Sequence, residues 1–100
     1  MLSEIAGFDW DDGNREKCQK HGVPNTEIES LFRNGQLMIQ PDPANSKVET
    51  RFRAIGRTET CRAVFMVFTL RGRERNRLIR PISARYMHRK EIDAYEKENP

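Results

Sequence analysis

RAVFMVFTL, residues 62–70, is the stretch that decides the fold. It is apolar at both odd and even positions and is rich in β-branched and aromatic residues, a pattern typical of a strand with both faces covered. We therefore predict a central β-strand here, covered on both sides, around which the rest of the sheet is built.

Shorter segments before and after this strand show the two-residue alternation that is typical of further β-strands. Residues 37–39 predict a short strand, and residues 49–57 alternate between two faces. The charged residues of the second segment share one face: Glu49, Arg51, Arg53 and Arg57. Residues 76–83 predict another strand, in which Pro81 indicates an edge or a bulge. Because the intervening loops are short, we expect an antiparallel meander.

Three helices are predicted outside the sheet. Residues 13–21 follow a pair of capping aspartates, and residues 25–34 carry apolar residues at helical spacing with Gly35 as a stop. Residues 86–98 form a terminal amphipathic helix. The predicted fold class is α+β: an antiparallel sheet of about four strands with two N-terminal helices and a C-terminal helix.

Length and composition limit the class of protein. One hundred residues, 36% of them hydrophobic, suffice for one domain over residues 1–100. No segment is apolar enough to span a membrane, and the N-terminus lacks the pattern of a signal peptide, so we expect a cytoplasmic protein. Cys18 and Cys61 lie far apart without a CxxC pair, which predicts neither a disulfide framework nor a zinc site.

The net charge of +3 is unevenly distributed. The first fifty residues hold 5 basic and 9 acidic residues, and the last fifty hold 13 and 6. Thirteen of the 18 basic residues are arginine, whose planar fork matches phosphate oxygens bidentately. This pattern favours a polyanionic partner, although a solvated basic face or ion pairs to the acidic half would produce it equally well.

Two pairs of residues are candidates for proton transfer and charge stabilisation. Lys20 and His21 lie at the end of the first predicted helix, where an imidazole can move a proton or interact with the helix dipole. Glu49 and Arg51 lie two residues apart on one strand face, as a general base beside a cation or as an ordinary surface ion pair. Spacing alone leaves both alternatives open.

A third candidate is the expected junction between the last strand and the terminal helix. Arg85 there could grip a phosphate together with backbone N–H groups of the first helical turn. The alternative is that Ser83 caps the helix and Arg85 pairs with Glu91 or another acid. His88 has no second ligand at metal-binding spacing, so we expect no metal site.

The order of several segments resembles the BrnT-type toxins of bacterial type II toxin-antitoxin systems. The resemblance covers nearly the whole chain and rests on FDWDDGNREKCQKHGV at 8–23, the helix at 27–32, Glu49-Thr50-Arg51 with Gly56 behind it, and IRPISARYMHRKEIDAYE at 79–96. Such proteins look like small ribonucleases on a RelE-like scaffold. A RelE-like fold is consistent with the predicted meander and helices.

The resemblance implies RNA cleavage without a metal or cofactor, in which the ribose 2′-OH attacks the adjacent phosphorus. It implies His21 or Glu49 as proton acceptor and Arg51 and Arg85 as phosphate clamps. Four further residues are assigned to RNA contact: Lys20, Arg53, Arg80 and Ser83. The implied partners are an RNA substrate and a BrnA-like antitoxin that neutralises the toxin, with operator DNA contacted only through the antitoxin and no membrane involved.

Two non-catalytic functions remain as alternatives. A nucleic-acid-binding module would use the same basic residues without proton transfer, and a docking module would use them to bind an acidic partner chain. The aromatic content of 8% argues mildly against a single-strand binder, which usually displays stacking side chains on its sheet.

Overall fold

A computed structural model describes residues 5–33, 37–45 and 47–98. Its strands, in chain order, are β1 (Ile5–Phe8), β2 (Met38–Pro41), β3 (Arg51–Arg57), β4 (Ala63–Arg71) and β5 (Arg77–Tyr86). Its helices are α1 (Asp12–Gln19), α2 (Asn25–Arg33) and α3 (Arg89–Glu98), with short 3₁₀ turns at Pro43–Asn45 and Glu74–Asn76. The fold class is α+β, as predicted. None of the described helices is long and apolar enough to cross a membrane.

The sheet has five strands in the order β1-β5-β4-β3-β2. Strands β2 to β5 form the predicted antiparallel meander, and β4 is the central strand of the five-stranded sheet. Strand β1 adds a fifth member that runs parallel to β5, with Ile5 opposite Arg77 and Phe8 opposite Ile79. The sheet is therefore mixed, because a four-residue segment pairs with a strand near the other end of the chain, which local periodicity does not reveal.

Helix α2 covers one face of the sheet. Ile28 and Leu31 are buried on its inner side. The ring of Phe32 meets Phe68 of β4 edge-on with centroids 5.5 Å apart, and Phe52 of β3 stacks on Phe68 at 5.4 Å. Complete burial of such side chains stabilises the fold by about 1.5–3 kcal/mol each, so this layer holds most of the core.

The first two helices lie close to their predicted positions. Helix α1 ends at Gln19, two residues before the predicted end at His21. Gly22 then adopts a left-handed backbone with φ 79°, and its N–H donates to the Gln19 carbonyl at 2.9 Å. Helix α2 begins at Asn25 as predicted, while the predicted stop at Gly35 lies outside the described residues.

The junction predicted at Ser83 and Arg85 is wrong. Both residues lie inside β5, whose ladder with β4 continues to Tyr86 opposite Val64. Helix α3 begins at Arg89, three residues later than predicted, so Ser83 does not cap it and Arg85 does not belong to its first turn. Cross-strand pairing with β4 holds these residues in strand conformation.

Pro81 lies at a bulge in β5, one of its two predicted positions. Phe68 pairs with Pro81 and Val67 pairs with Ser83, which leaves Ile82 as an extra residue in β5. The alternative of an edge strand is wrong, because β5 lies between β1 and β4. Since proline has no N–H to donate, a bulge accommodates it inside the sheet.

We call the side of β2–β5 that points away from α2 the open face. Directly paired residues of antiparallel strands lie on the same side of a sheet, which assigns its members from the register. They are Met38, Gln40, Arg51, Arg53, Ile55, Arg57, Ala63, Phe65, Val67, Thr69, Arg71, Leu78, Arg80, Ser83 and Arg85.

The central strand β4 is incompletely covered on the open face. Phe65 and Val67 are both partly exposed there, so the prediction that both sides of β4 are covered is wrong on this side. Helix α3 contacts this side of the sheet at one end, where Glu96 pairs with Arg57. Apolar side chains of the central strand therefore remain accessible among the arginines.

Candidate functional site

Three of the four strands that build the open face carry arginines. Strands β2 to β5 contain seven arginines, three in β3, one in β4 and three in β5, and no aspartate or glutamate. A carboxylate reaches this face from a loop or a helix at its border. Strands with an excess of positive charge attract ligands of the opposite sign, so the open face favours an anion.

An open cleft of about 610 Å³ lies where the open face borders α1. We call it the arginine cleft. Its charged lining combines four basic and three acidic side chains: Lys17, Arg51, Arg71, Arg80, Asp11, Asp12 and Glu49. Gly13, Asn14 and Ile82 complete the lining. The cleft thus brings together three of the residues singled out in the sequence, Glu49, Arg51 and Arg80.

Glu49 enters the cleft from the bend before β3. The strand begins at Arg51, two residues later than predicted, so Glu49 is not itself a strand residue. One Glu49 carboxylate oxygen lies 3.1 Å from Arg71 Nη1, and the other lies 3.9 Å from Arg51 Nη2. Because Glu49 is one-quarter exposed, its carboxylate is fixed between two cations while one side faces the cleft.

Arg80 is fixed at the opposite wall of the cleft by two aspartates that precede α1. Its guanidinium lies 2.7 Å from Asp11 Oδ2 and 3.4 Å from Asp9 Oδ2. The hydrogen bond to Asp11 raises the pKa of Arg80. The pKa of Asp11 is lowered, first by the backbone N–H of Asn14 and then by Arg80. These contacts orient an arginine that is about four-fifths buried.

Asn14 is a buried polar residue that the sequence analysis missed. Its side-chain amide donates to the Asp9 carbonyl at 2.9 Å and to the Pro81 carbonyl at 2.8 Å, and its side-chain oxygen accepts from the Asp11 N–H at 2.7 Å. Asn14 therefore attaches the start of α1 to β5 beside Arg80. Its position three residues after the capping Asp11 is the one signal in the sequence that could have identified it.

Arg85 lies on the open face two residues beyond the bulge and does not line the arginine cleft. Its guanidinium forms a bidentate pair with Glu91 of α3, with contacts of 2.7 and 2.8 Å, which confirms the ion-pair alternative. This contact raises the pKa of Arg85 and lowers that of Glu91 to about 2. The guanidinium carbon also lies 4.9 Å from the ring centre of Phe65.

The remaining candidates occupy two other places. Arg53 and Ser83 lie in the same row of the open face, on either side of Val67. Lys20 and His21 are exposed in the turn that follows α1, and neither lines the arginine cleft. The basic residue of α1 that lines the cleft is Lys17, one turn earlier in the helix.

A family model described as BrnT, the ribonuclease toxin of type II toxin-antitoxin systems, matches residues 10–91. The chain belongs to the BrnT toxin family. A search of curated proteins found no significant match. The match confirms the resemblance seen in the sequence motifs, and the matched segment includes every residue that lines the arginine cleft.

Membership in the BrnT family implies an RNA substrate and an antitoxin partner. Both fit the observed charge, because RNA presents a phosphate at every nucleotide and the open-face strands have no acidic residues of their own. Among the described residues, no group of three or more His, Cys, Asp or Glu side chains could hold a metal ion.

Proposed function

We propose that this toxin cleaves RNA in the arginine cleft by attack of a ribose 2′-OH on the adjacent phosphorus. The observation that carries the proposal is the convergence of Arg51, Arg71 and Arg80 with Glu49 on one open cleft. Three guanidinium groups can surround a phosphate, and the carboxylate is the one candidate proton acceptor from the sequence analysis that lines the same cleft.

In the proposed reaction Glu49 takes the proton of the 2′-OH. The 2′-oxygen forms a bond to phosphorus while the bond from phosphorus to the 5′-oxygen breaks, and the 5′-oxygen leaves with a proton from water in the open cleft. The contacts of Glu49 with Arg71 and Arg51 hold the carboxylate in place. His21 was the other candidate acceptor, and its position in the exposed turn after α1 favours Glu49 for this role.

The arginines stabilise the negative charge that develops on the pentacoordinate phosphorus. Arg51 of β3 and Arg80 of β5 both pair with Thr69 of β4, so the two arginines lie on either side of this residue where they line the cleft. Preorganised donors of this kind are each worth about 10²–10³ in kcat. Arg85, proposed from the sequence as a second clamp, is assigned instead to RNA outside the cleft, together with Arg53, Ser83 and Lys20.

The proposal is tested by incubating purified protein with labelled single-stranded RNA in the presence of EDTA. We expect cleavage of the RNA and none of the matching DNA, because DNA lacks the internal nucleophile. Arg51→Ala should slow cleavage by about 10²–10³, and Glu49→Gln, which removes the general base, should slow it by about 10²–10⁴. Arg33→Ala is the matched control, since Arg33 pairs with Glu59 on the exposed surface outside the cleft and should retain the parent rate.

Retention of RNA without cleavage would contradict the catalytic proposal and support a nucleic-acid-binding module. Neither binding nor cleavage would support a module that docks an acidic protein. Parent-level cleavage by Arg51→Ala or Glu49→Gln would refute the role assigned to that residue.

We further propose that a BrnA-like antitoxin neutralises the toxin and that operator DNA is contacted through this antitoxin. The cationic open face supports docking of a partner with acidic side chains. Adding a purified cognate BrnA-like antitoxin should abolish RNA cleavage at a one-to-one ratio. Operator fragments should shift in a gel with the complex and not with the toxin alone. A shift by the toxin alone would contradict the indirect role of DNA.

A further inference from the structure

A partly exposed phenylalanine lies in the middle of the open face. Phe65 is paired with Ile55 on one side and with Arg85 on the other. It lines a shallow depression together with four neighbours from β2 and β3: Met38, Gln40, Arg53 and Ile55. A flat apolar ring is therefore accessible on a surface that is otherwise rich in arginine.

The groups around this ring match the parts of a nucleotide. Single-stranded RNA is bound by stacking its bases on aromatic rings or on guanidinium planes. Phe65 supplies a ring, and the Arg85 guanidinium lies 4.9 Å from its centre. Arg53 offers an exposed cation for a phosphate, and Gln40 offers a donor and an acceptor for a base edge.

We propose that Phe65 stacks on a nucleobase of single-stranded RNA while Arg53 contacts a flanking phosphate. This inference rests on the proposed function, since it places a second part of the same substrate on the open face. Phe65 lies four residues along β4 from Thr69, which is flanked by the cleft arginines. At about 3.3 Å per residue this separation is about 13 Å, the rise of about four stacked nucleotides.

The charge of the face favours RNA over a protein segment at this position. Strands β2 to β5 carry no acidic side chain, so the depression is bordered by cations. Glu91 of α3, whose partner Arg85 lies beside Phe65, has both carboxylate oxygens bound to that arginine. A ligand here gains from having both flat apolar groups and negative charges, and a nucleic acid strand has both at every residue.

The first experiment measures binding of a 2′-O-methyl oligoadenylate, which cannot be cleaved by 2′-OH attack. Stacking on an aromatic side chain is worth about 1–3 kcal/mol per base, which corresponds to about 5- to 150-fold in affinity. We expect Phe65→Ala to weaken binding by a factor in this range. Phe65→Leu should weaken it similarly, because leucine keeps the apolar volume and loses the aromatic face. Urea unfolding of both variants checks that they remain folded.

The second experiment makes position 65 a reporter. Trp10 is the single tryptophan of the chain, so Trp10→Phe combined with Phe65→Trp leaves one fluorophore at the proposed site. We expect the oligoadenylate to quench its fluorescence. An abasic oligomer of equal length and charge should leave the fluorescence unchanged, since it has phosphates and no base to stack.

Two results would overturn the inference: parent-level affinity of Phe65→Ala for the oligoadenylate, or equal fluorescence responses to the normal and abasic oligomers. If Phe65→Ala instead lost antitoxin binding and kept RNA affinity, the depression would be a protein-docking site, which also overturns it. Failure of the proposed function would be seen separately, as no cleavage of unmodified RNA by the parent, because the binding measurements do not depend on catalysis.

Discussion

Replacing Asn14 with alanine tests whether this residue attaches α1 to the sheet. The change removes three hydrogen bonds, to the carbonyls of Asp9 and Pro81 and from the N–H of Asp11. At about 1 kcal/mol net for each bond, the free energy of unfolding should fall by about 3 kcal/mol. Small domains are stable by about 5–15 kcal/mol in total, so this is a large fraction of the whole.

Urea unfolding followed by circular dichroism measures this loss. With m-values of about 1–3 kcal/mol/M, the midpoint should fall by about 1–3 M, and the slope should stay unchanged. Asn25→Ala is the matched control, because Asn25 accepts one exposed hydrogen bond from Gln19 and should lose at most about 1 kcal/mol. Asn14→Asp should not restore stability, since a carboxylate cannot donate to the two carbonyls.

The reasoning is refuted if Asn14→Ala and Asn25→Ala unfold at the same urea concentration. Equal midpoints would mean that water or a local rearrangement satisfies the groups that Asn14 contacts. Full stability of Asn14→Asp would likewise show that donation to the Pro81 carbonyl does not hold the helix.

Three further predictions concern the core, the Arg85–Glu91 pair and the thiols. Phe68→Ala should cost about 3–5 kcal/mol in urea unfolding, because the side chain is fully buried, and a loss below 1 kcal/mol would contradict this. The pKa of Glu91 is lowered from 4.5 to about 2, so its stabilising effect is complete above pH 4.5 and is lost toward pH 2. The stability difference between the parent and Glu91→Gln should shrink across that window, and a constant difference would refute it. A thiol reagent should label exposed Cys61 in the native protein and Cys18 only after unfolding, since burial raises the pKa of Cys18 to about 11. Mass spectrometry identifies which cysteine is labelled, and labelling of Cys18 before Cys61 in the native protein would contradict this prediction.

Strands β2 to β5 and helix α2 could be predicted because their residues carry a local signal. The alternation of residues 51–57 and the continuous apolar run of residues 62–70 depend on neighbours in sequence, and so does the 3.6-residue spacing of Ile28, Leu31 and Phe32. Strand β1 could not be found in this way. It has four residues and exists through pairing with β5, which lies near the other end of the chain.

The residues of the candidate site divide in the same way, into those with a local sequence signal and those brought together only by the fold. Glu49 and Arg51 were paired correctly because they lie two residues apart in the sequence. Arg71 and Lys17 were not identified, because only the folded chain brings β4 and α1 to the same cleft. The strand end was placed too early since Ser83 and Arg85 resemble a helix start, and cross-strand hydrogen bonds to β4 override that local preference.

The position of β5 between β1 and β4 has a consequence for synthesis of the toxin. Arg80 of the cleft lies on β5, while the aspartates that orient it come from the first dozen residues. A ribosome therefore releases more than three-quarters of the chain before these groups can meet, and contacts this distant in sequence form slowly. The growing chain has no assembled cleft while it is still close to the messenger RNA that encodes it, and a product truncated before β5 has none at all.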